Sequence, residues 1–305
     1  MEDNTINIVT INEPQKHVST GLKRKDFDKY YTKLAIAKVC LERFYSLVSI
    51  QDNDILIEPS AGAGVFYFLL KDKYSNTQGF DILPDHEEIV KQDYLDLEVP
   101  QKVENQKIHV IGNPPFGRQS SLAKKFIKKS TLFCDTIGFI LPKSFKKESF
   151  QSVFPLHFHL MDCFDLPGNS FEVSGKTHDV PCCFQIWIKK DHEREKKPKM
   201  KPIGYTFVKK NENPDLSFRR VGVYAGKLSK ECADKSEQSH YFIKVTLGPP
   251  SSGTQRTAAT SVDSLESLYN EKIKFEHNNS VGAKSISKNE LIEKLNMLMI
   301  ESTVD

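Results

Sequence analysis

No apolar run in these 305 residues approaches the roughly 18 that a membrane span needs, and the opening stretch MEDNTINIVTINEPQKH has no signal-peptide core. Secretion and membrane insertion are therefore not expected, and a cytoplasmic or nuclear location is. Paired cysteines are also lacking. Cys40, Cys134, Cys163, Cys182, Cys183 and Cys232 are scattered, without a C-x-x-C pair or a histidine at metal-ligand spacing. Buried thiols in a reducing compartment and no bound metal are the expectation. There is no G-K-[ST] sequence and no strict G-x-G-x-x-G, so phosphate-cradling loops fit poorly. Charge of one sign is scarce too, at a net +3, but the lysines are grouped in KKFIKK (124–129), KSFKK (143–147) and EREKKPKMKP (193–202). Such groups suit a polyanion or a solvated face.

What is present is a globular composition, 38% hydrophobic and 27% charged, long enough for a large domain with a smaller appendage. Residues 1–24 lack periodicity and read as a loose arm. Leu34, Ile36, Val39, Cys40, Phe44 and Leu47 then fall at helical spacing, with Thr32 as N-cap. Strand-like DILIEPS (54–60), NTQGFDI (76–82), KIHVIG (107–112) and TIGFILP (136–142) alternate with helical AGAGVFYFLLK and SSLAKKFIKKSTLF (120–133). FHLMDCFDLP (158–167) and VPCCFQIWIKK (180–190) add two more β segments. This alternation predicts an α/β fold, a mostly parallel sheet covered by helices on both faces. From residue 191 the text changes: a charged linker, DHEREKKPKMKP, leads into a small α+β region through residue 305. That region has strand-like IGYTFVKK, SFRRVGVYAG and HYFIKVTL, a loop GPPSSGTQRTAATS, and a final helix capped by Ser287 with Glu290 completing a capping box.

In ILIEPSAGAGVF, Gly62 and Gly64 stand where a strand hands over to a helix, so a ligand can approach the backbone and meet free N–H groups. A tight structural turn would look the same in isolation. Context favours a ligand, because Glu58 ends this strand and Asp81 ends the next, where a carboxylate can accept from a ribose diol. With Glu58 beside the glycines, a cationic nucleoside is favoured over a pyrophosphate, and S-adenosylmethionine meets those demands.

The tetrapeptide Asn113-Pro114-Pro115-Phe116 follows the strand KIHVIG directly. Asn113 can offer its side-chain oxygen, Pro114 its carbonyl, and the prolines hold both still while Phe116 supplies a flat face. Together they describe a holder for a planar group with an exocyclic amine. Two acceptors pulling on both amine hydrogens favour a pyramidal nitrogen, and transfer then needs mostly positioning.

With KYYTKLAIAK, EPSAGAG, GFD, KQDYLDL, IGNPPFG and LPGNSFEV through VPCCFQIW, the chain resembles class I S-adenosylmethionine-dependent N6-adenine methyltransferases, in the motif order called gamma. The resemblance implies a Rossmann-like seven-stranded sheet in a catalytic domain at residues 25–190, with residues 191–305 as a C-terminal region suited to substrate recognition. It implies that Tyr31, Thr32, Glu58, Ala61 and Gly62 line the cofactor, with Asp81 on the ribose, Asp93 beside Tyr94 on the adenine amine, and Asn113 near the transferred methyl group. Asn113, Pro114, Pro115 and Phe116 would hold the target amine, and Phe171 in GNSFEV would close the base from its other face. The implied substrate is adenine in DNA or RNA. Two departures are visible: no long target-recognition domain follows residue 190, and the motif ends in Phe rather than Tyr, as in RNA-directed relatives. Competing readings are a glutamine N5 methyltransferase acting on protein and a non-catalytic nucleic-acid-binding subunit.

Overall fold

The computed structural model describes residues 30–173, 175–196, 200–246, 262–275 and 285–304. The loose arm expected at 1–24 and the loop expected at 248–261 lie outside them. In chain order the first part runs β1 (Tyr31–Thr32), α1 (Leu34–Leu47), β2 (Ile55–Glu58), α2 (Val65–Lys71), β3 (Thr77–Asp81), β4 (Val90–Lys91), β5 (Ile108–Gly112), α3 (Ser121–Ser130), β6 (Thr136–Pro142), α4 (Glu148–Gln151), β7 (Phe158–Asp165), β8 (Phe171–Val173), β9 (Lys176–His178) and β10 (Cys182–Lys189). The second part has β11 (Tyr205–Val208), β12 (Leu216–Arg219), β13 (Leu228–Ser229), β14 (His240–Val245), α5 (Val262–Lys272) and α6 (Lys288–Val304).

Seven strands form one sheet in the order β4-β3-β2-β5-β6-β10-β7. Neighbouring strands from β4 through β6 pair in parallel, and β10 is inserted antiparallel between β6 and β7, so β10 alone runs against the rest. The strands are apolar on both sides because both sides are covered. Leu56, Ile111 and Ile140 pack with Ala37, Phe44, Phe66 and Leu70 of α1 and α2. Ile57, Val110 and Ile137 pack on the opposite face with Phe126 and Ile127 of α3. This is the expected Rossmann-like, mostly parallel arrangement, and it brings the ends of β2, β3 and β5 to one edge of the sheet, where such folds bind ligands.

The second part is an antiparallel sheet, β11-β14-β12-β13, with its own core of Tyr205, Phe218, Ile243, Tyr269, Leu291 and Leu295. Its final helix starts as expected: the Ser287 N–H donates to Glu290 Oε2 at 2.8 Å and the Glu290 N–H to Ser287 Oγ at 3.3 Å. Helix α5 was not anticipated, since VDSLESLYNEK buries only Leu265 and Tyr269.

Two local expectations are corrected. The N-cap of α1 is Lys33, not Thr32, because the chain is still extended there and Thr32 pairs with Phe171 of β8. The charged segment after residue 190 is not simply a solvated linker. Arg194 donates to the carbonyls of Gln151, Phe154, Pro155 and Phe158, and its guanidinium lies 5.4 Å from the Trp187 ring, so the start of that segment is tied to the sheet domain.

Candidate functional site: the carboxyl edge of the sheet

Asp81, the last residue of β3, uses each carboxylate oxygen once: Oδ2 accepts from the Gly62 N–H and Oδ1 from the Leu83 N–H, both at 2.8 Å. Those bonds fix the carboxylate against the glycine turn and leave each oxygen a second lone pair for a hydroxyl. The turn is built from its own backbone, with the Ala61 N–H on the Phe80 carbonyl at 2.9 Å and the Asp85 N–H on the Gly62 carbonyl at 3.1 Å. Gly62 has φ +52°, and a Cβ there would stand 3.3 Å from Tyr31 Cε1. A side chain at residue 62 would thus meet both a left-handed backbone and an aromatic ring. The Tyr31 hydroxyl crosses the turn to donate to Asp85 Oδ2 at 2.6 Å.

Glu58, at the end of β2, is buried, and Oε2 accepts from the Tyr67 N–H at 2.6 Å. Burial holds its carboxyl well above the usual carboxylate range; the Tyr67 bond opposes the shift, and the nearby Asp81 adds to it. A cationic ligand at this edge would favour the ionised form.

Asn113 follows β5. Its Nδ2 donates to the Tyr30 carbonyl at 3.1 Å and to Thr32 Oγ1 at 3.2 Å. A carbonyl can only accept, so the amide nitrogen must face Tyr30, and the orientation of the amide is settled. Its Oδ1 is buried and has no hydrogen-bond partner. The Asn113 carbonyl accepts from Ser60 Oγ at 3.0 Å, while no described donor reaches the Pro114 carbonyl. Two acceptors, one of them a buried orphan, therefore stand at the end of the central strand, and an unmade bond of that kind costs about 1–3 kcal/mol until a donor arrives.

Pro115 and Phe116 are half-buried, and the Phe116 ring packs on both cores. The Phe116 carbonyl accepts from the Leu122 and Ala123 N–H groups at 3.1 and 3.3 Å, tying the corner to the start of α3. Gly117 makes the turn with φ +67°, and a Cβ there would lie 2.8 Å from Leu122 Cγ. Gln119 and Ser120 also have positive φ, 54° and 59°, so the exit from the corner is a strained stretch.

The structure brings together Tyr31, Thr32, Glu58, Ala61, Gly62, Asp81 and Asn113 through Phe116. Two expected site residues, Tyr94 and Phe171, lie in the core instead, while Asp93 stays at the surface. Asp93 is exposed near the end of β4, but its side chain accepts from the Leu95 N–H at 2.9 Å and caps a short turn. Tyr94 is buried: its ring stacks on Phe126 at 5.4 Å, and its hydroxyl is 2.8 Å from Ser130 Oγ, so the ring is committed to the core. Phe171 is fully buried in the α1-side core and presents no face to a base; its strand instead pairs with β1 and holds Thr32 in place. Sequence reasoning missed Tyr30, whose carbonyl orients Asn113, and Ser60. It also missed Ile82 and Leu83, which remain 48% and 51% exposed directly after Asp81. An exposed apolar pair next to a ribose-type carboxylate was a legible signal for a flat, apolar ligand group.

The residues fit S-adenosylmethionine on their own chemistry. Asp81 suits ribose hydroxyls, Ile82 and Leu83 offer apolar surface to a purine, and the buried Glu58 suits a cation. No group of three or more His, Cys, Asp or Glu side chains able to hold a metal occurs among the described residues. No helix among them is long and apolar enough to cross a membrane.

The model of the EDM2 methyltransferase-like domain matches residues 49–200. Protein ENHANCED DOWNY MILDEW 2 of Arabidopsis thaliana is 22% identical over 191 residues, 56% of this chain but only 14% of that relative. Among solved structures, a candidate RNA methyltransferase from Pyrococcus horikoshii is 18% identical with a TM-score of 0.42, covering 53% of this chain and 88% of its own. The type I restriction-modification methyltransferase subunit from Streptococcus thermophilus is 15% identical with a TM-score of 0.40, covering 53% of this chain and 45% of its own. Residues 49–200 thus match the model of a methyltransferase-like domain, and the residues at the carboxyl edge of the sheet suit S-adenosylmethionine.

Proposed function

We propose that this chain is an N6-adenine methyltransferase acting on DNA or RNA. The observation that carries the reading is the buried, unpartnered Oδ1 of Asn113 beside a Pro114 carbonyl that no described donor reaches. An amine with two N–H donors satisfies both acceptors at once. Adenine supplies such an amine on a planar ring, and Phe116 supplies the flat surface for that ring.

The bound cofactor supplies an electrophilic methyl group on a sulfonium. The chain's own residues supply position and charge. Asp81 accepts from ribose hydroxyls, with the Gly62 and Leu83 N–H groups holding it in register. Glu58 provides negative charge in a dry pocket where it is worth more than in water. Tyr31 and Thr32 form the near wall, and Thr32 also keeps the Asn113 amide turned. Asn113 Oδ1 and the Pro114 carbonyl draw on the two amine hydrogens, which frees the nitrogen lone pair from the ring and aims it for in-line attack. The proton released on transfer is acidic enough to leave to water, so no dedicated strong base is needed.

The test is incubation of the full chain with methyl-labelled S-adenosylmethionine and separate DNA, RNA and protein pools. Label is expected in nucleic acid, as N6-methyladenine. Label confined to protein glutamine would replace this reading with the amide one, for which the same two acceptors would serve.

A further inference from the structure

The lysine-rich segments divide into two classes. Lys143 and Lys146 both pair with Asp165, and Lys147 lies 3.1 Å from Glu290 Oε1 and donates to the Ser285 carbonyl at 2.6 Å. These cations are used internally, and Lys147 ties the start of the last helix to the segment after β6. On α3, Lys124 lies 4.4 Å over the Phe150 ring and Lys129 reaches the Leu97 carbonyl, whereas Lys125 and Lys128 are exposed.

From Phe150 and Lys147 a chain of contacts leads into the C-terminal unit. Ser285 bridges Val221, and the Ile286 N–H donates to the Arg220 carbonyl at 2.8 Å. The Arg220 guanidinium lies 5.4 Å from the Tyr241 ring, and Lys288 lies 4.7 Å over Phe207 and 5.6 Å over Tyr241. Arg219 folds back over the turn at Gly222. The loop that follows exposes Val223 by 78% and Tyr224 by 70%. Among the described residues, none of Lys125, Lys128, Arg219, Arg220, Lys227 and Lys288 has a carboxylate within ion-pair distance. Among the described residues, cations without acidic partners thus lie both on the helix that leaves the Asn113 to Phe116 corner and around a loop tipped by an exposed tyrosine, and Lys147 links the two parts.

We infer that this track binds the sugar-phosphate backbone of a single-stranded nucleic acid whose target base enters at Asn113, with Tyr224 stacking on a flanking base. The inference rests on the nucleic-acid reading of the site above and assigns the C-terminal unit the task of holding substrate. A single strand is the occupant because an exposed aromatic beside cations is how unpaired strands are gripped, and because an unpaired base reaches the corner without the cost of leaving a duplex stack.

The experiment uses the full chain and fluorescence anisotropy with short single-stranded DNA and RNA oligonucleotides and the matching duplex, at rising salt. Two variants are compared with the parent: the triple change Lys125→Gln, Lys128→Gln, Lys288→Gln, and Tyr224→Ala. Calorimetry of S-adenosylmethionine binding serves as the folding control, since none of these residues touches that site. The triple variant should bind single strands at least tenfold more weakly, with a salt slope shallower by about 0.7 for each phosphate that is no longer neutralised. Tyr224→Ala should bind roughly tenfold more weakly with the slope unchanged, because stacking is not ionic. If the parent methylates nucleic acid but both variants bind it with unchanged affinity and slope, the track is wrong and the function stands. Tighter binding of the duplex than of either single strand also overturns the track. If the parent binds no nucleic acid and labels only protein, both the track and the reading beneath it fall.

Discussion

The two ends of β2 carry two buried carboxylates with opposite accounts. At the amino end, Asp54 accepts from the Gln51 N–H at 2.8 Å, the Lys107 N–H at 2.8 Å and His109 Nε2 at 3.1 Å. Burial alone would raise its pKa, but those bonds outweigh it and hold the carboxyl below its ordinary value. At the carboxyl end, Glu58 accepts from one N–H, and its pKa lies well above the ordinary value, chiefly through burial. The neighbouring strand repeats the contrast. His109 near the start of β5 is bonded at both ring nitrogens, to Thr136 and Asp54, whereas Asn113 beyond its end keeps an orphan oxygen. One edge of the sheet is closed on itself and the other is left short of donors and positive charge. That difference separates polar groups satisfied within the chain from groups with bonding capacity left over.

Breaking the open edge at its centre should have the largest effect. Asn113→Ala should reduce methyl transfer by roughly 100- to 1000-fold, the scale of removing one preorganised polar group from a reacting centre. Cofactor affinity measured by calorimetry should change by only a few-fold. Breaking the closed edge should do the reverse: Asp54→Ala strands two backbone N–H groups and His109, costing about 3 kcal/mol of stability by denaturant unfolding. Activity per folded molecule should be retained below the shifted transition. A smaller effect sharpens the role of β1. Thr32→Val, which removes one of the two acceptors for the Asn113 amide, should lower kcat about tenfold, consistent with about 1.4 kcal/mol. Cofactor affinity should hold nearly constant, and Thr32→Ser should restore the rate.

The smallest expected effect concerns pH. Glu58 has a folded pKa above its unfolded one, so its contribution to stability is full below the ordinary carboxylate range and is lost as pH rises through the elevated folded value. Glu58→Gln should therefore raise the melting temperature above neutrality and lose that advantage in acid. The same variant should bind S-adenosylmethionine more weakly and without the proton release that calorimetry in different buffers is expected to show for the parent.

Much of this was legible in the residues because the strands of a covered parallel sheet are continuous apolar runs. TIGFILP became β6 from Thr136 to Pro142 without adjustment, and β2, β3 and β5 each fell inside its expected segment. The glycine turn and the acceptor corner were legible because their unusual residues have few other uses at strand ends. What stayed hidden depends on contacts across the chain. Thr32 looks like a helix cap, but a hydroxyl's partner is chosen by tertiary position, and here it is Asn113, 81 residues away. Phe171 and Tyr94 stand in motif-like surroundings, yet an aromatic ring serves a core as readily as a site, and only packing distinguishes the two. The four lysines of α3 look equivalent in sequence, while Phe150 and the Leu97 carbonyl engage two of them.

The central claim is that the free acceptors of Asn113 and Pro114 grip an exocyclic amine. It is tested most directly by digesting nucleic acid methylated with isotope-labelled S-adenosylmethionine to nucleosides and locating the methyl group by mass spectrometry. Label is expected on the N6 nitrogen of adenine with the parent chain, and none with Asn113→Ala although that variant still binds cofactor. Label on a ring nitrogen, a carbon or a ribose oxygen, or undiminished N6 label with Asn113→Ala, would contradict it.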